Sequence, residues 1–274
     1  MPEFKISGFA DEGGKTAEEQ IQVLKDNDIF YIEVRNVDGK NIIDFNDNEL
    51  IELKDKFDKE NIKVSAIGSP IGKSPIEEDF NITKIKFERT LVAAEILDTV
   101  YIRAFSFFIP KESDPMLWAD EVVFRMSELV RMAKQKGKLY ALENESGIFT
   151  DTPERCIYVL EKIPDLCYVF DAGNFIKENV DSMYAWNLLK KKVSYIHIKD
   201  ATRNPKQAVP AGEGEGHIAE ILKSIYADGF NDFISVEPHL GYMKDISNAQ
   251  RFKVANNALK KILNNEFNCN YTIL

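Results

Sequence analysis

The chain has 274 residues, of which 44% are apolar and 29% are charged, so it carries enough apolar side chains to bury a sizeable core. Its 45 acidic residues exceed its 35 lysines and arginines, and the net charge is −10. This balance argues against nucleic-acid or membrane-surface binding that depends on neutralising many phosphates. The sequence contains no run of about 18 apolar residues, which excludes a transmembrane helix.

The three cysteines, Cys156, Cys167 and Cys269, form no close pair and no Cys-x-x-Cys motif. This argues against a zinc knuckle, a redox centre or a disulfide framework. The N-terminal residues lack a basic segment followed by an apolar segment, so we expect no secretory signal. A chain with few cysteines and no secretory signal is typical of a reducing compartment, so we expect a cytoplasmic location.

The sequence alternates between short runs rich in β-branched and aromatic residues and longer runs with helical periodicity. Eight strand–helix units follow one another in this way. In chain order, strands are predicted at residues 4–9, 30–34, 62–67, 99–103, 139–143, 167–171, 193–197 and 232–237. The helices that follow them are predicted at residues 16–28, 47–59, 82–97, 116–135, from 152 onward, 181–189, 217–226 and around 252–262.

Local signals support several helix boundaries. Thr16 followed three residues later by Glu19 is typical of a capping box. Thr152 before Pro153 predicts a capped helix with proline at its first position. The last helix presents one amphipathic face, which is formed by Phe252, Ala255, Leu259 and Ile262.

Eight units in 274 residues average about 34 residues each, which is close to the size of a βαβ repeat and predicts a closed (β/α)8 barrel. The competing architecture is an open doubly wound sheet, which more often has a glycine-rich phosphate turn after its first strand. Here residues 11–14 read Asp-Glu-Gly-Gly, and the two acids would repel a pyrophosphate. We predict one barrel domain over residues 1–264 and a peripheral C-terminal tail over residues 265–274.

Potential ligands occur at the ends of the last four predicted strands. These residues are Glu143, Asp171, His197 and Glu237, at intervals of 28, 26 and 40 residues, or about one repeat. Because all strands of such a barrel end at the same mouth, the four side chains are expected to converge there. A single strand-end acid is more often a helix cap or a surface group, but four potential ligands at successive strand ends indicate a site.

Three carboxylates at a partly buried mouth repel one another unless a positive charge compensates them. A divalent cation with oxygen and imidazole ligands would do so. The sequence therefore predicts one metal ion, and Mn²⁺, Zn²⁺, Co²⁺ and Mg²⁺ all suit these ligands.

The strings at residues 141–144 (ALEN), 170–175 (FDAGNF), 196–200 (IHIKD) and 236–239 (VEPH) resemble the xylose isomerase-like barrels. This superfamily comprises sugar phosphate isomerases and epimerases and is also called AP endonuclease family 2. The resemblance extends over nearly the whole chain, and residues 32–35 (IEVR) and 69–73 (SPIGK) also resemble members described only as sugar isomerases.

The resemblance implies that Glu143, Asp171, His197 and Glu237 bind one divalent ion. It also implies that Glu143 and Glu237 move protons during the isomerisation or epimerisation of a sugar or sugar phosphate. In that reaction a glutamate removes a proton beside a metal-chelated carbonyl, an enediolate forms, and the other glutamate returns the proton. We therefore expect a small carbohydrate substrate and no nucleic-acid or membrane partner. Relatives are often dimers or tetramers, so we also expect a homodimer or homotetramer.

Five further side chains are candidates for substrate binding, each with a structural alternative. Lys199 holds a substrate oxygen or lies at the surface, and Arg103 binds a phosphate or pairs with Glu33 or Glu143. Glu33 binds a substrate hydroxyl or forms an ion pair, and His239 lies beside the site. The fifth candidate is Asn174, three residues after Asp171.

Two ambiguities concern the segments near these residues. Glu145 competes with Glu143 as the ligand, because both point the same way in an extended segment; the family string places its ligand before an asparagine and favours Glu143. The glycines of residues 212–216 form a loop at the mouth, where their amides could face a sugar or phosphate.

The sequence departs from its relatives at two points. Ketose epimerases of the family usually carry a histidine at the position of Asn174. The DNA repair branch needs many histidines for several zinc ions, and this chain has only three, so an endonuclease is disfavoured. The alternatives that stay open are an inosose-type dehydratase that uses the same site and a catalytically silent sugar-binding barrel.

Overall fold

A computed structural model of the protein describes residues 4–267. Its β-strands are β1 Lys5–Gly8, β2 Tyr31–Val34, β3 Asn36–Val37, β4 Lys40–Asn41, β5 Lys63–Gly68, β6 Tyr101–Ala104, β7 Leu139–Glu143, β8 Cys167–Asp171, β9 Val193–Ile198, β10 Asp200–Thr202, β11 Gln207–Val209 and β12 Phe233–Val236. Its α-helices are α1 Ala17–Lys25, α2 Asp47–Lys59, α3 Phe80–Ile96, α4 Ala119–Gln135, α5 Pro153–Lys162, α6 Ala172–Lys177, α7 Ser182–Leu189, α8 Ile218–Ala227 and α9 Asn248–Phe267.

Eight parallel strands close into one barrel in the order β1, β12, β9, β8, β7, β6, β5, β2. The predicted (β/α)8 barrel is confirmed, and each of the eight predicted strands overlaps one barrel strand. The structure adds two antiparallel ribbons, β3–β4 and β10–β11, and the short helix α6, all of which lie in segments after barrel strands. These elements are too short to show a hydrophobic period in the sequence.

The predicted helix signals act as expected. The Thr16 side chain accepts a hydrogen bond from the Glu19 backbone N–H, and the Glu19 carboxylate accepts one from the Thr16 N–H, which completes the capping box of α1. Thr152 caps α5 ahead of Pro153. Helix α9 extends beyond the predicted span to Phe267, which is buried against Phe4. This helix includes the start of the predicted tail; residues 268–274 lie outside the described residues.

The core has two different parts. Aliphatic and aromatic side chains fill the space between the barrel and its helices, for example where Trp186 of α7 meets Phe170 of β8 edge-on at 5.1 Å. Inside the barrel, by contrast, the Ser65 hydroxyl lies 2.6 Å from the Ser7 hydroxyl and 3.1 Å from that of Tyr195. Side chains on a strand alternate, so Tyr195 lies one layer below His197 on the same strand face.

The loop after β5 approaches the β6 loop closely at Gly72. Gly72 adopts a φ of +81°, and a Cβ atom there would overlap the carbonyl oxygen of Phe105. The Phe105 N–H donates to the Ile71 carbonyl oxygen at 2.8 Å, so the two loops are joined at this point. Only glycine fits both the backbone conformation and the space.

We therefore predict that Gly72→Ala lowers the free energy of unfolding by about 3 kcal/mol, because backbone atoms must move to admit the methyl group. Gly147→Ala is the matched control, since Gly147 has a φ of +76° with no neighbouring atom within 4 Å of an added Cβ. The control should cost only about 1 kcal/mol, from backbone strain alone. Urea denaturation measures the free energy of unfolding of both variants. Equal losses of stability would show that the contact with Phe105 is unimportant.

Candidate active site

Four strand-end side chains meet in the centre of the barrel mouth. Glu143 and Asp171 are the last residues of β7 and β8, His197 lies in β9, and Glu237 follows β12 directly. One ligand atom from each lies within 4.8 Å of all the others. All four side chains are buried, with at most 5% of any residue exposed. We call these four residues the ligand cluster.

The two ring nitrogens of His197 have different surroundings. Nδ1 lies 3.0 Å from Glu143, 3.7 Å from Glu237 and 3.9 Å from Asp171, so it faces all three carboxylates of the ligand cluster. Nε2 lies 3.1 Å from Oε2 of Glu33, a fully buried carboxylate on β2. An N–H on Nε2 that donates to Glu33 would fix the ring and leave Nδ1 available as a ligand.

Arg103 of β6 lies beside Glu33 and Glu143. Its Nε is 3.4 Å from a carboxylate oxygen of Glu33 and 3.4 Å from one of Glu143. One of its terminal nitrogens donates to the Ser69 carbonyl oxygen at 3.0 Å. The guanidinium group is buried and shares its single positive charge between these two carboxylates.

Lys199 compensates the opposite side of the cluster. Its ammonium group lies 2.8 Å from Oε2 of Glu237 and 2.9 Å from Oδ2 of Asp171. Its carbonyl oxygen accepts the Gly173 N–H, which joins the segment after β9 to the start of α6. Lys199 is buried, so the structure places it inside the site and not at the surface.

Two asparagines position the acidic ligands. The Asn174 side chain donates to Glu143 at 3.2 Å, and its backbone N–H donates to Oδ1 of Asp171 at 2.8 Å. The Asn144 side chain donates to the Asp171 carbonyl oxygen and accepts from the Asp171 N–H and from the Tyr168 hydroxyl. Asn144 was not among the site residues predicted from the sequence, although it is the last residue of the ALEN string.

Burial and neighbouring charges shift the pKa values of the cluster in different directions. Burial raises the pKa of Asp171 to about 7, against the effect of Lys199. Burial acts the same way on Glu143, but His197 and Arg103 outweigh it and lower the Glu143 pKa to about 2. Burial opposes the charged form of His197, yet Glu143 and Glu33 raise its pKa well above the ordinary value. A metal ion at Nδ1 would therefore displace a proton.

The ligand cluster fits a divalent cation. It offers one imidazole nitrogen and three carboxylates, a set that suits Mn²⁺, Zn²⁺, Co²⁺ or Mg²⁺. Oδ2 of Asp171 is buried and accepts no hydrogen bond, even though the Lys199 ammonium is near. Glu33 supplies the outer partner that a ligating histidine usually has.

Glu145 and His239 occupy the rim. Glu145 pairs with Lys73 at 2.8 Å and lies outside the ligand cluster, whereas Glu143 lies within it. His239 is 39% exposed in its side chain, and its Nε2 lies 3.0 Å from Glu237. The His239 backbone N–H donates to Glu12 at 2.6 Å, which connects the loops after β12 and β1.

Arg35 is a rim residue that sequence reasoning did not select. Its guanidinium group contacts Asp11 at 2.8 Å, Glu12 at 3.3 Å and Glu237 at 3.5 Å. It also lies over the ring of Phe9 at 4.7 Å. The only available signal was its place at the end of the IEVR string.

The glycine-rich loop does not offer its amides to the mouth. The buried carboxylate of Asp200 accepts the backbone N–H groups of Gly212 and Gly216 at 2.8 Å and of Gly214 at 3.1 Å. It also accepts the N–H of Ala201. These four donors are thus occupied by the protein itself, contrary to the expectation that the glycines face a ligand.

A family model described as xylose isomerase-like TIM barrel matches residues 21–261. Among solved structures, the IOLI protein with a bound zinc atom superimposes with a TM-score of 0.79 at 19% identity, covering 96% of this chain and 99% of that one. A D-tagatose 3-epimerase-like protein superimposes with a TM-score of 0.75 at 18% identity, covering 95% and 97%.

A third structure is the probable 3-DHS dehydratase AsbF from Bacillus anthracis, with a TM-score of 0.74 at 18% identity, covering 92% of this chain and 98% of that one. At such identities the likeness demonstrates a common fold. No curated protein sequence matches the chain. Across residues 4–267, no helix has the length and apolar character needed to span a membrane.

We predict that Lys199→Met raises the affinity for Mn²⁺ at least about tenfold, because it removes a positive charge that contacts two members of the ligand cluster. Competition with a fluorescent chelator measures this affinity. The control is Lys191→Met, which changes an exposed lysine outside the ligand cluster and should leave the Mn²⁺ affinity unchanged. A lower affinity in Lys199→Met would mean that Lys199 is needed to hold the ligands in place.

Chelator-stripped protein should gain stability from Mn²⁺, by about 2.7 kcal/mol at 100 times the dissociation constant. For a chain of this size the melting temperature should rise by roughly 5–10 °C. Asp171→Asn keeps the size of the side chain but weakens the ligand, so the rise should largely disappear. An equal rise in wild type and variant would place the ion elsewhere.

Proposed function

The chain belongs to the xylose isomerase-like TIM barrel family, and we propose that it is a divalent-metal-dependent isomerase or epimerase of a sugar. One observation carries this proposal: Glu143, Asp171, His197 and Glu237 bring four ligand atoms within 4.8 Å of one another at the barrel mouth. Active sites of such barrels lie at this end. A barrel that only bound sugars would have no need to keep all four.

The proposed metal is one ion of Mn²⁺, Zn²⁺, Co²⁺ or Mg²⁺, held by the ligand cluster. When bound, it would polarise a substrate carbonyl and make the neighbouring C–H more acidic. The zinc atom in the similar IOLI structure supports a metal in this fold. The buried, compensated carboxylates described above support it in this chain.

Glu143 and Glu237 are the proposed proton carriers. Both line the cavity above the ligand cluster. Burial raises the pKa of Glu237, but Lys199 and His239 outweigh burial and hold that pKa well below its ordinary range. Both glutamates are thus ionised near neutral pH, as acceptors of a carbon-bound proton must be.

The two glutamates are held by different partners. Glu143 lies against Arg103 and His197, whereas Glu237 lies against Lys199 and His239. One glutamate can therefore take a proton from the substrate, while the other returns a proton to the opposite face of that carbon or to a different carbon. Lys199 and Arg103 remain near the developing negative charge on the substrate oxygens and would stabilise it.

Loss of a β-hydroxyl after the same proton abstraction would instead dehydrate the substrate. The likeness to a probable dehydratase keeps this as the second candidate. We further propose a cytoplasmic protein with a small carbohydrate as its partner; the homodimer or homotetramer expected from the sequence stays a prediction. Free Cys156 and Cys167 agree with a reducing compartment.

Deuterium incorporation tests the proposal directly. Mn²⁺-loaded protein in D₂O with a panel of ketoses, ketose phosphates and inososes should place solvent deuterium in one compound, as read by mass spectrometry. Glu237→Gln should lower this exchange at least about a hundredfold, since general base catalysis contributes that much or more. An isomer of equal mass would indicate isomerisation or epimerisation, and loss of one water would indicate dehydration.

Glu161→Gln, on the outer helix α5 and exposed, is the matched control and should exchange like wild type. Metal binding to Glu237→Gln is checked by the thermal assay, so that a lost ligand is not mistaken for a lost base. Absence of exchange in every compound, with metal shown to be bound, would contradict the proposal and favour the silent sugar-binding barrel.

A further inference from the structure

We infer that the substrate is an uncharged polyhydroxy ketone that carries no phosphate or carboxylate group. This inference rests on the proposed function, and it concerns the cavity of about 130 Å³ that opens above the ligand cluster. Among the described residues, three lysine or arginine side chains line this cavity and are the cations that an anionic substituent there would meet first: Arg35, Lys73 and Arg103.

Arg103 is already paired with two buried carboxylates. It is 4% exposed and is shared between Glu33 and Glu143 at 3.4 Å each. One of its terminal nitrogens donates to the Ser69 carbonyl oxygen at 3.0 Å. A phosphate that approached it would have to separate buried carboxylates from their main cation, which is unfavourable in a buried site.

Arg35 is also committed to the protein. Nε and a terminal nitrogen both donate to the Asp11 carboxylate, at 2.8 Å and 3.1 Å, in a two-point contact. The same guanidinium group contacts Glu12 and Glu237. Two-point arginine–carboxylate pairs are strong and directional, so Arg35 presents a compensated surface to the cavity.

Lys73 is the most accessible of the three, and it too is paired. Its ammonium group lies 2.8 Å from Glu145 and 4.2 Å from the centre of the Phe105 ring. Its side chain is 36% exposed. Glu145 therefore has a clear role in this inference, because it neutralises the most exposed of the three lining cations.

The total charge around the mouth leads to the same conclusion. Four cationic side chains, with Lys199 as the fourth, are in ion pairs with seven carboxylates, namely Asp11, Glu12, Glu33, Glu143, Glu145, Asp171 and Glu237. With neutral histidines, these paired groups carry a net charge of −3, which a divalent ion would change to −1; the nearby Lys177 brings the sum to zero. The mouth therefore offers an anion no excess of positive charge, whereas its many oxygen acceptors suit sugar hydroxyl groups.

The test compares each free ketose with its terminal phosphate ester. D-fructose, D-tagatose, D-ribulose and an inosose, free and phosphorylated, are incubated with Mn²⁺-loaded protein in D₂O, and kcat/KM for exchange is measured. We expect exchange in a free compound at least about tenfold faster than in its ester, because the ester's charge can be bound only by separating lining cations from their carboxylates.

Glu145→Gln sharpens the test by removing the partner of Lys73. This variant should lower the ratio of kcat/KM for the free ketose to kcat/KM for its ester by about fivefold, because it releases one cation towards the cavity. Glu178→Gln is the matched control, since it removes the partner of Lys206 away from this cavity and should leave the ratio unchanged.

Each outcome separates the inference from the proposed function. Faster exchange in a phosphate ester would overturn the inference and leave the proposed function intact. Lys177 would then be examined as the phosphate holder through Lys177→Met, because this half-buried lysine at the end of α6 forms no ion pair with any described residue. No exchange in either series, with metal bound, would overturn the proposed function and the inference with it.

Discussion

The repulsion among carboxylates buried at one end of the barrel is the constraint on which the site depends. Barrel closure brings the ends of β7, β8, β9 and β12 to one mouth, where Glu143, Asp171 and Glu237 face one another with little solvent. Carboxylates so close cannot all stay ionised without compensation. Arg103 and Lys199, on opposite sides, supply two of the positive charges that make this arrangement stable.

The same need for compensation organises the surrounding loops. Arg35 connects the acids after β1 to Glu237, and Asp200 holds the glycine-rich loop through three backbone N–H groups. In each case a buried or half-buried charge is satisfied by atoms from a distant part of the chain. These electrostatic contacts fix the loops around the ligand cluster together with buried apolar loop side chains such as Ile71, Phe107 and Leu240.

Sequence periodicity was sufficient for the barrel and for the convergence of the four strand-end residues, because both follow from where strands end. It could not separate Glu143 from Glu145. β7 ends at Glu143, and beyond that point the chain leaves the strand direction, so Glu145 pairs with Lys73. The role of Asp200 was equally out of reach, because its partners lie 12 to 16 residues away in a loop of no regular structure.

The ligand cluster alone does not decide what reaction the barrel performs. Proteins that share this fold include one named as a probable dehydratase and one named as epimerase-like. A metal and two glutamates serve equally for moving a proton between carbons and for starting an elimination. The choice would therefore come from groups that face a substrate above the ligand cluster, and the rim side chains that line the cavity there include Arg35, Lys73 and His239. These loops vary independently of the barrel, so one scaffold can keep its ligands and change its substrate.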